Sequence, residues 1–384
     1  MELDSDVKPR PATEADLRVT IKQANLKATA TTSSSKPRKD KIVCRHWIQG
    51  KCRYADDKCK FLHSWTIGDD VSLMSTLQGH KKSVTGIVLP PGSDKLYTGS
   101  TDGTVRVWDC VSGKCVRVIN LGGEVGCVIN EGHWVFVGVP NAVKALNTQK
   151  PSCEMTTLGL RGPARVGQVY AMVVGNDILF AGTHSGSILS WRFNPVTNSF
   201  EPAAASLKGH TLGVASLAVG GGATSTKRHT LLYSGSFDGS IRVWSLESLQ
   251  CVQTLAEHTS VVTSLICSDR CLFSCALDQT LKIWAPAAAT DQSENKDMLE
   301  VKYTHSEEYG LLALSGMHDS EGKPVLWCSC NDNILRLYDL PSFCERGRVF
   351  AKQEIRVIQA AGPHGLVFTG DGTGAVRVWK WGPA

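Results

Sequence analysis

A short pattern returns along this chain and limits its fold more than any other feature. Thr98-Gly99-Ser100-Thr101-Asp102-Gly103-Thr104-Val105-Arg106-Val107-Trp108-Asp109 is echoed by Ser234-Gly235-Ser236-Phe237-Asp238-Gly239-Ser240-Ile241-Arg242-Val243-Trp244. It returns as Ser274-Cys275-Ala276-Leu277-Asp278-Gln279-Thr280-Leu281-Lys282-Ile283-Trp284, and in all three an Asp stands six residues ahead of the Trp. Weaker copies end at Leu146, Trp191, Tyr338 and Trp379, so the copy-to-copy distances run 38, 45, 53, 40, 54 and 41 and the units number seven. A small-residue turn and a β-branched run closing on Trp, repeated at about 40–45 residues, specify four-stranded propeller blades. The expected fold class is all-β.

These segments resemble WD repeats, and the resemblance covers residues 71–384. Seven blades of about 40–45 residues need about 280–315, and this stretch supplies 314. It is therefore expected to form a seven-bladed WD-repeat β-propeller. Residues 73–77 precede Gly79-His80 and alternate like an outer strand. They should join the three strands ending at Trp379 and close the ring with residues from both ends of the repeat region. Blades two, three, six and seven depart most, with Asn141, Ser185 and Thr373 at or near the Asp position.

His80, Thr98, Asp102 and Trp108 invite a catalytic reading, since His, hydroxyl and carboxylate can make a nucleophilic triad. The same constellation returns, however, as His210, Ser234, Asp238 and Trp244, and as His258, Ser274, Asp278 and Trp284, in phase with the blades. An active site needs one set; a buried hydrogen-bond network that pins each blade explains three. With no lone acid, base or phosphate loop outside the repeat, the chain is not expected to be an enzyme or to take a small-molecule substrate.

Ahead of the repeats, Cys44, Cys52, Cys59 and His63 are separated by seven, six and three residues. Zinc takes thiolate and imidazole donors in a closed four-coordinate shell, so these provide one full ligand set for one Zn2+. So short a run cannot bury enough apolar area to fold alone, whereas a structural zinc site contributes about 10–16 kcal/mol of apparent binding energy that becomes folding energy. His46 lies too near Cys44 to replace His63 without stranding Cys59.

Gly50-Lys51-Cys52-Arg53-Tyr54 and Cys59-Lys60-Phe61-Leu62-His63 resemble the CCCH zinc fingers. That resemblance implies that Tyr54 and Phe61 stack between bases of single-stranded RNA. Relative to the family's common spacing, one residue has moved across Cys52 while the distance from Cys44 to Cys59 is kept, so the loop at residues 55–58 departs from the pattern. The basic, aromatic lead-in of many tandem RNA binders is also missing.

Charge points to a polyanion. Residues 36–63 hold nine Lys or Arg against three Asp, a net of +6, while residues 1–35 cancel at five against five. Beyond residue 63 the chain carries 27 basic and 28 acidic residues, so the excess positive charge lies at or beside the finger. Arg45, Lys51, Arg53 and Lys60 are the cations expected to contact phosphates, with Tyr54 and Phe61 adding base stacking. RNA is favoured over DNA, because such rings suit splayed bases and no long helix is present to fill a major groove. Stacking worth about 1–3 kcal/mol per base gives one finger about micromolar affinity at best. Tighter binding needs a second surface that raises effective concentration.

Three segments follow: a disordered basic-ended tail over 1–41, the zinc finger over 42–66 and the propeller over 71–384. The tail has few large apolar residues, and Lys36-Pro37-Arg38-Lys39-Asp40-Lys41 reads as a nuclear import signal or as further phosphate-contacting charge. No apolar run approaches the roughly 20 residues that span a bilayer, and the amino terminus lacks a secretory apolar region. The expected compartment is nucleus or cytoplasm, without a membrane partner. Eleven Cys outside the finger are expected mostly as small buried hydrophobes in strands. Residues 220–230 and 285–297 read as surface-loop insertions between blade patterns.

The combination resembles the plant zinc-finger and WD-repeat family. That resemblance implies the architecture and the zinc ligation; the preferred reading of the residues is a non-enzymatic adaptor in which the finger touches RNA or DNA and the propeller recruits protein. A substrate receptor of a ubiquitin ligase, or a purely protein-binding scaffold, is the alternative. The receptor's usual cue, Trp-Asp followed one residue on by Arg, is absent, since Trp108-Asp109 leads into Cys110 and Val111.

Overall fold

The computed structural model describes residues 42–382 apart from 55–57, 69, 150–154, 160–164, 204–205, 222–229, 269–270, 288–297, 320 and 362–364. The amino-terminal tail and its import-like run lie outside the described residues. So does most of the loop after Tyr54.

Seven antiparallel sheets carry the repeats. Blade one is typical, with Val84–Val88, Lys95–Ser100, Thr104–Asp109 and Cys115–Asn120 hydrogen-bonded in that order. The first strands of successive sheets touch one another, and that of the seventh touches that of the first, so the sheets form a closed ring. Each blade therefore has a neighbour on both faces, and second strands such as Ile178–Thr183 are buried along their whole length. Fourth strands such as Cys115–Asn120 form the wetter rim. Blade seven takes its outer strand, Val71–Leu77, from ahead of blade one and pairs it with Val376–Trp381, which closes the ring as expected.

The small residues of the repeat include the expected turn, where Gly103 and Gly239 stand at φ +82° and +80°, and others that serve the packing of blade on blade. Gly99, Gly182, Gly235 and Gly370 end or nearly end second strands, and each faces a valine on the first strand of the next blade. A Cβ there would meet Val128, Val214, Val262 or Val84 at 2.6 Å. Such close approach between blades admits almost no side chain. Blade six places Ser329 there, and its hydroxyl donates to the carbonyl of Ile355 in blade seven.

Two expectations need correction. Gly220 and Gly221 are strand residues paired with Leu231 and Thr230, so the first insertion opens inside blade four, between its first and second strands. The second lies inside blade five, because Ala285 and Pro286 pair with Glu300 and Leu299. Among the cysteines, Cys127, Cys275, Cys328 and Cys330 are buried, but Cys110, Cys251 and Cys344 are exposed, at a turn or at the start of an outer strand.

The finger is not a separate bead. Thr66 and Ile67 pair antiparallel with Val349 and Arg348, which gives blade six a fifth strand. The chain then runs past Asp70, whose carboxylate accepts from Arg346 at 2.7 Å, directly into the closing strand of blade seven.

Candidate metal centre and nucleic-acid interface

The finger is built from very little regular structure. Val43 and Leu62 form a parallel bridge, with the Cys44 amide donating to the Leu62 carbonyl and the Leu62 amide to the Ile42 carbonyl, each at 2.9 Å. Cys44 caps a single helical turn, Arg45–Ile48. Gly50, at φ +70°, then reverses the chain toward Cys52, a left-handed conformation that suits glycine at a helix end. These turns place the donor atoms of Cys44, Cys52, Cys59 and His63 within 4.8 Å of one another. The Cys52 and Cys59 sulfurs lie 3.9 Å apart. A tetrahedral shell with Zn–S bonds of about 2.3 Å separates its sulfurs by about 3.8 Å, so the donors fit one Zn2+.

The thiols are electrostatically crowded. Burial raises the Cys44 pKa, but the Trp47 backbone N–H and the Cys52, Cys59 and His63 side chains outweigh it and bring the thiol down to about 7. At Cys59 the Phe61 backbone N–H lowers the pKa, yet burial and the sulfurs of Cys44 and Cys52 raise it overall. One thiolate thus forms at the expense of the next, a repulsion that a divalent cation removes.

The finger's aromatic residues divide into two sets. Trp47 stacks on His63, with centroids 5.5 Å apart and planes at 16°, and lies 5.3 Å from Trp65. Val43 and Ile48 are buried with Phe350 of blade six, alongside Trp47, Leu62, Trp65 and Ile67. By contrast, Tyr54 and Phe61 are 66% and 45% exposed. The predicted phosphate-contacting residues Arg45, Lys51, Arg53 and Lys60 are exposed too, as is Lys58.

The repeated His sets are hydrogen-bonded alike in blades one, four and five. Trp108 donates its indole N–H to the Thr98 hydroxyl at 2.8 Å, and His80 contacts Thr98 through Nε2 at 2.8 Å and Asp102 through Nδ1 at 3.0 Å. His210, Ser234, Asp238 and Trp244 repeat this at 2.7–3.1 Å, and His258, Ser274, Asp278 and Trp284 at 2.8 Å throughout. Burial lowers the pKa of all three histidines more than the facing carboxylates raise it. The neutral ring then donates through Nδ1–H to the Asp, and Nε2 accepts from a hydroxyl whose oxygen the Trp has already engaged. Every group in the relay is satisfied, as a blade pin requires.

The departing blades use other partners. Asn141 accepts from the Gly167 amide at 2.9 Å, and Ser185 bonds Thr183 at 2.9 Å. In blade six, Tyr338 donates to Glu307. In blade seven Trp379 still donates to Thr369 at 2.8 Å, but the acid has moved to Asp371, which accepts from Thr373 and binds Arg377 at 2.6 Å. That guanidinium lies 4.6 Å from the centroid of the Trp65 ring. Sequence reasoning did not single out Trp47, Trp65, Asp371 or Arg377. The available signal was Asp371, an acid two residues ahead of the repeat position that Thr373 occupies.

Fold and site define a seven-bladed WD-repeat propeller carrying one CCCH zinc finger. The family described as WD domain, G-beta repeat matches residues 71–109, 202–245 and 249–285, and that described as CCCH-type zinc finger matches 42–64. The chain is 56% identical to "Zinc finger CCCH domain-containing protein 17" of Oryza sativa subsp. japonica, over 88% of this chain and 72% of that protein. It is 60% identical to "Zinc finger CCCH domain-containing protein 48" of Arabidopsis thaliana, over 89% and 74%, respectively. A third similar protein, "Zinc finger CCCH domain-containing protein 62" of Arabidopsis thaliana, is 45% identical over 99% of this chain and 84% of its own length. The chain belongs to this plant family of zinc finger CCCH domain-containing WD-repeat proteins. Its two parts support nucleic-acid binding and protein scaffolding.

Proposed function

We propose that this protein is a non-enzymatic adaptor whose finger holds single-stranded RNA while its propeller gathers protein partners, in the nucleus or the cytoplasm. The observation that carries the reading is the exposure of Tyr54 and Phe61 on a finger whose other aromatic residues, Trp47 and Trp65, pack against the metal site and the propeller. Two exposed rings among exposed cations can stack on bases while the phosphates are neutralised. RNA is favoured over DNA because the one helix among the described residues spans four residues, too few to fill a major groove.

The propeller supplies the second surface that a single finger needs, since a protein bound there can bring further RNA contacts at high effective concentration. Crosslinking the full chain to RNA in cells and sequencing the attached RNA, with Tyr54→Ala/Phe61→Ala as control, tests the reading. Recovery of RNA that depends on the two rings supports it, and equal recovery from the control contradicts it.

A further inference from the structure

A continuous line of ring and ion contacts leads from blade seven to a zinc ligand. Asp371, buried, binds the buried Arg377 guanidinium at 2.6 Å. Arg377 lies 4.6 Å from the Trp65 ring centroid, Trp65 lies 5.3 Å from Trp47, and Trp47 stacks on His63 at 5.5 Å. In blades one and four the matching arginines, Arg106 and Arg242, lie against Gly79 and Gly209 instead. Only blade seven among these three turns its arginine onto the finger. It does so with the acid moved to residue 371, where its buried carboxylate holds the guanidinium.

We propose that the propeller forms an outer shell of the zinc site, with Trp65 and Arg377 as positioning residues that fix the His63 ring through Trp47. Groups beyond the ligands orient them, and their loss typically weakens metal binding about 10–100-fold. The coupling is reciprocal, as any linkage between two equilibria must be. Zinc that orders the finger also holds Trp65 on Arg377 and Thr66–Ile67 on the edge of blade six. The same segment runs into Val71–Leu77, the strand that closes the ring, so metal loading tightens the seam between blades six and seven. Trp65 also packs on the cluster that contains Trp379, Val349 and Ile355, which places it at that seam. The result is a metal-dependent clasp: the finger is held in one orientation while Tyr54 and Phe61 remain exposed.

Two measurements on the full chain test this without reference to nucleic acid. In the first, zinc affinity is measured by competition with a chromogenic chelator, and the ligand field is read from the absorption bands of the Co2+-substituted protein. Trp65→Leu is expected to weaken zinc about tenfold and to shift the Co2+ bands, Arg377→Lys to do so to a smaller extent, and Trp65→Phe to restore most of both. In the second, hydrogen exchange of the wild-type chain is compared with and without zinc. Stripping is expected to speed exchange in Thr66–Ile67, Cys344–Phe350 and Val71–Leu77 but not in Ile178–Thr183 of blade three. Unchanged zinc affinity and Co2+ bands in Trp65→Leu, or equal exchange of the seam strands with and without metal, overturns the proposal. If Trp65→Leu fails to fold, the wild-type exchange experiment decides alone.

Discussion

Gly370 of blade seven faces Val84 of blade one so closely that a Cβ on the glycine would stand 2.6 Å from a valine methyl carbon. This contact lies at the seam where the last blade meets the first, and the ring depends on it as it depends on the like contacts between other blades. Gly370→Ala is expected to cost about 1–3 kcal/mol through overpacking. The added Cβ would also stand 2.7 Å from the Val84 Cβ and 2.8 Å from a Val357 methyl carbon, so Val84→Ala should not relieve the strain. Thermal unfolding of Gly370→Ala with and without Val84→Ala checks both statements, and a double variant more stable than Gly370→Ala alone would contradict the second.

The His relays make stability depend on pH. Burial holds His80, His210 and His258 below the ordinary 6.5, so as pH falls the unfolded chain takes up protons first and the folded state loses ground. Their aspartates act in the same direction at lower pH. Burial raises Asp102, but the Thr104 hydroxyl, the Lys81 amide and His80 bring it down to about 2. Unfolding temperature is expected to be level from about pH 7 to 8, to fall below about 6.5 and to fall again as the carboxylates titrate. His210→Ala should lower stability by about 2 kcal/mol, since it takes the imidazole from the buried Ser234 hydroxyl and the half-buried Asp238 carboxylate, and should flatten the upper part of the profile.

The ligand set predicts which histidine matters to the metal. Replacing Cys59 with Ser or His63 with Ala should take zinc content from one per chain to none, because a structural site needs its closed shell. His46→Ala should leave it at one, since His46 is exposed on the helical turn and outside the cluster of donors. Metal analysis of the purified variants decides between the two imidazoles.

Much of this was legible in the chain because each blade must satisfy the same needs locally. The spacing of Asp102 and Trp108 encodes one pin, and its return at Asp238 and Asp278 encodes the ring. The four zinc donors are close in sequence because a metal core must be local. The docking of the finger was hidden for the opposite reason: Trp65, Phe350 and Arg377 meet only through the closed ring, and none has an unusual neighbourhood in sequence. Gly220 and Gly221 looked like loop residues because composition alone does not reveal that Leu231 and Thr230 pair with them.

Phosphate contacts by the exposed finger cations should make RNA affinity strongly salt-dependent. If Arg45, Lys51, Arg53, Lys58 and Lys60 each meet one phosphate, the logarithm of the association constant should fall with that of salt at a slope of about −3.5 for a single strand. A titration of labelled oligonucleotide from low to physiological salt measures it. A flat line would point to a protein ligand.

The two exposed rings, Tyr54 and Phe61, carry the proposed recognition of RNA. Binding of a single-stranded RNA to the full zinc-loaded chain, followed by fluorescence anisotropy, is to be compared with Tyr54→Ala/Phe61→Ala at equal zinc content. At about 1–3 kcal/mol per stacked base, the double substitution should weaken binding at least about 30-fold, with zinc still at one per chain. RNA affinity unchanged in that variant would contradict the claim that this finger reads nucleic acid by stacking.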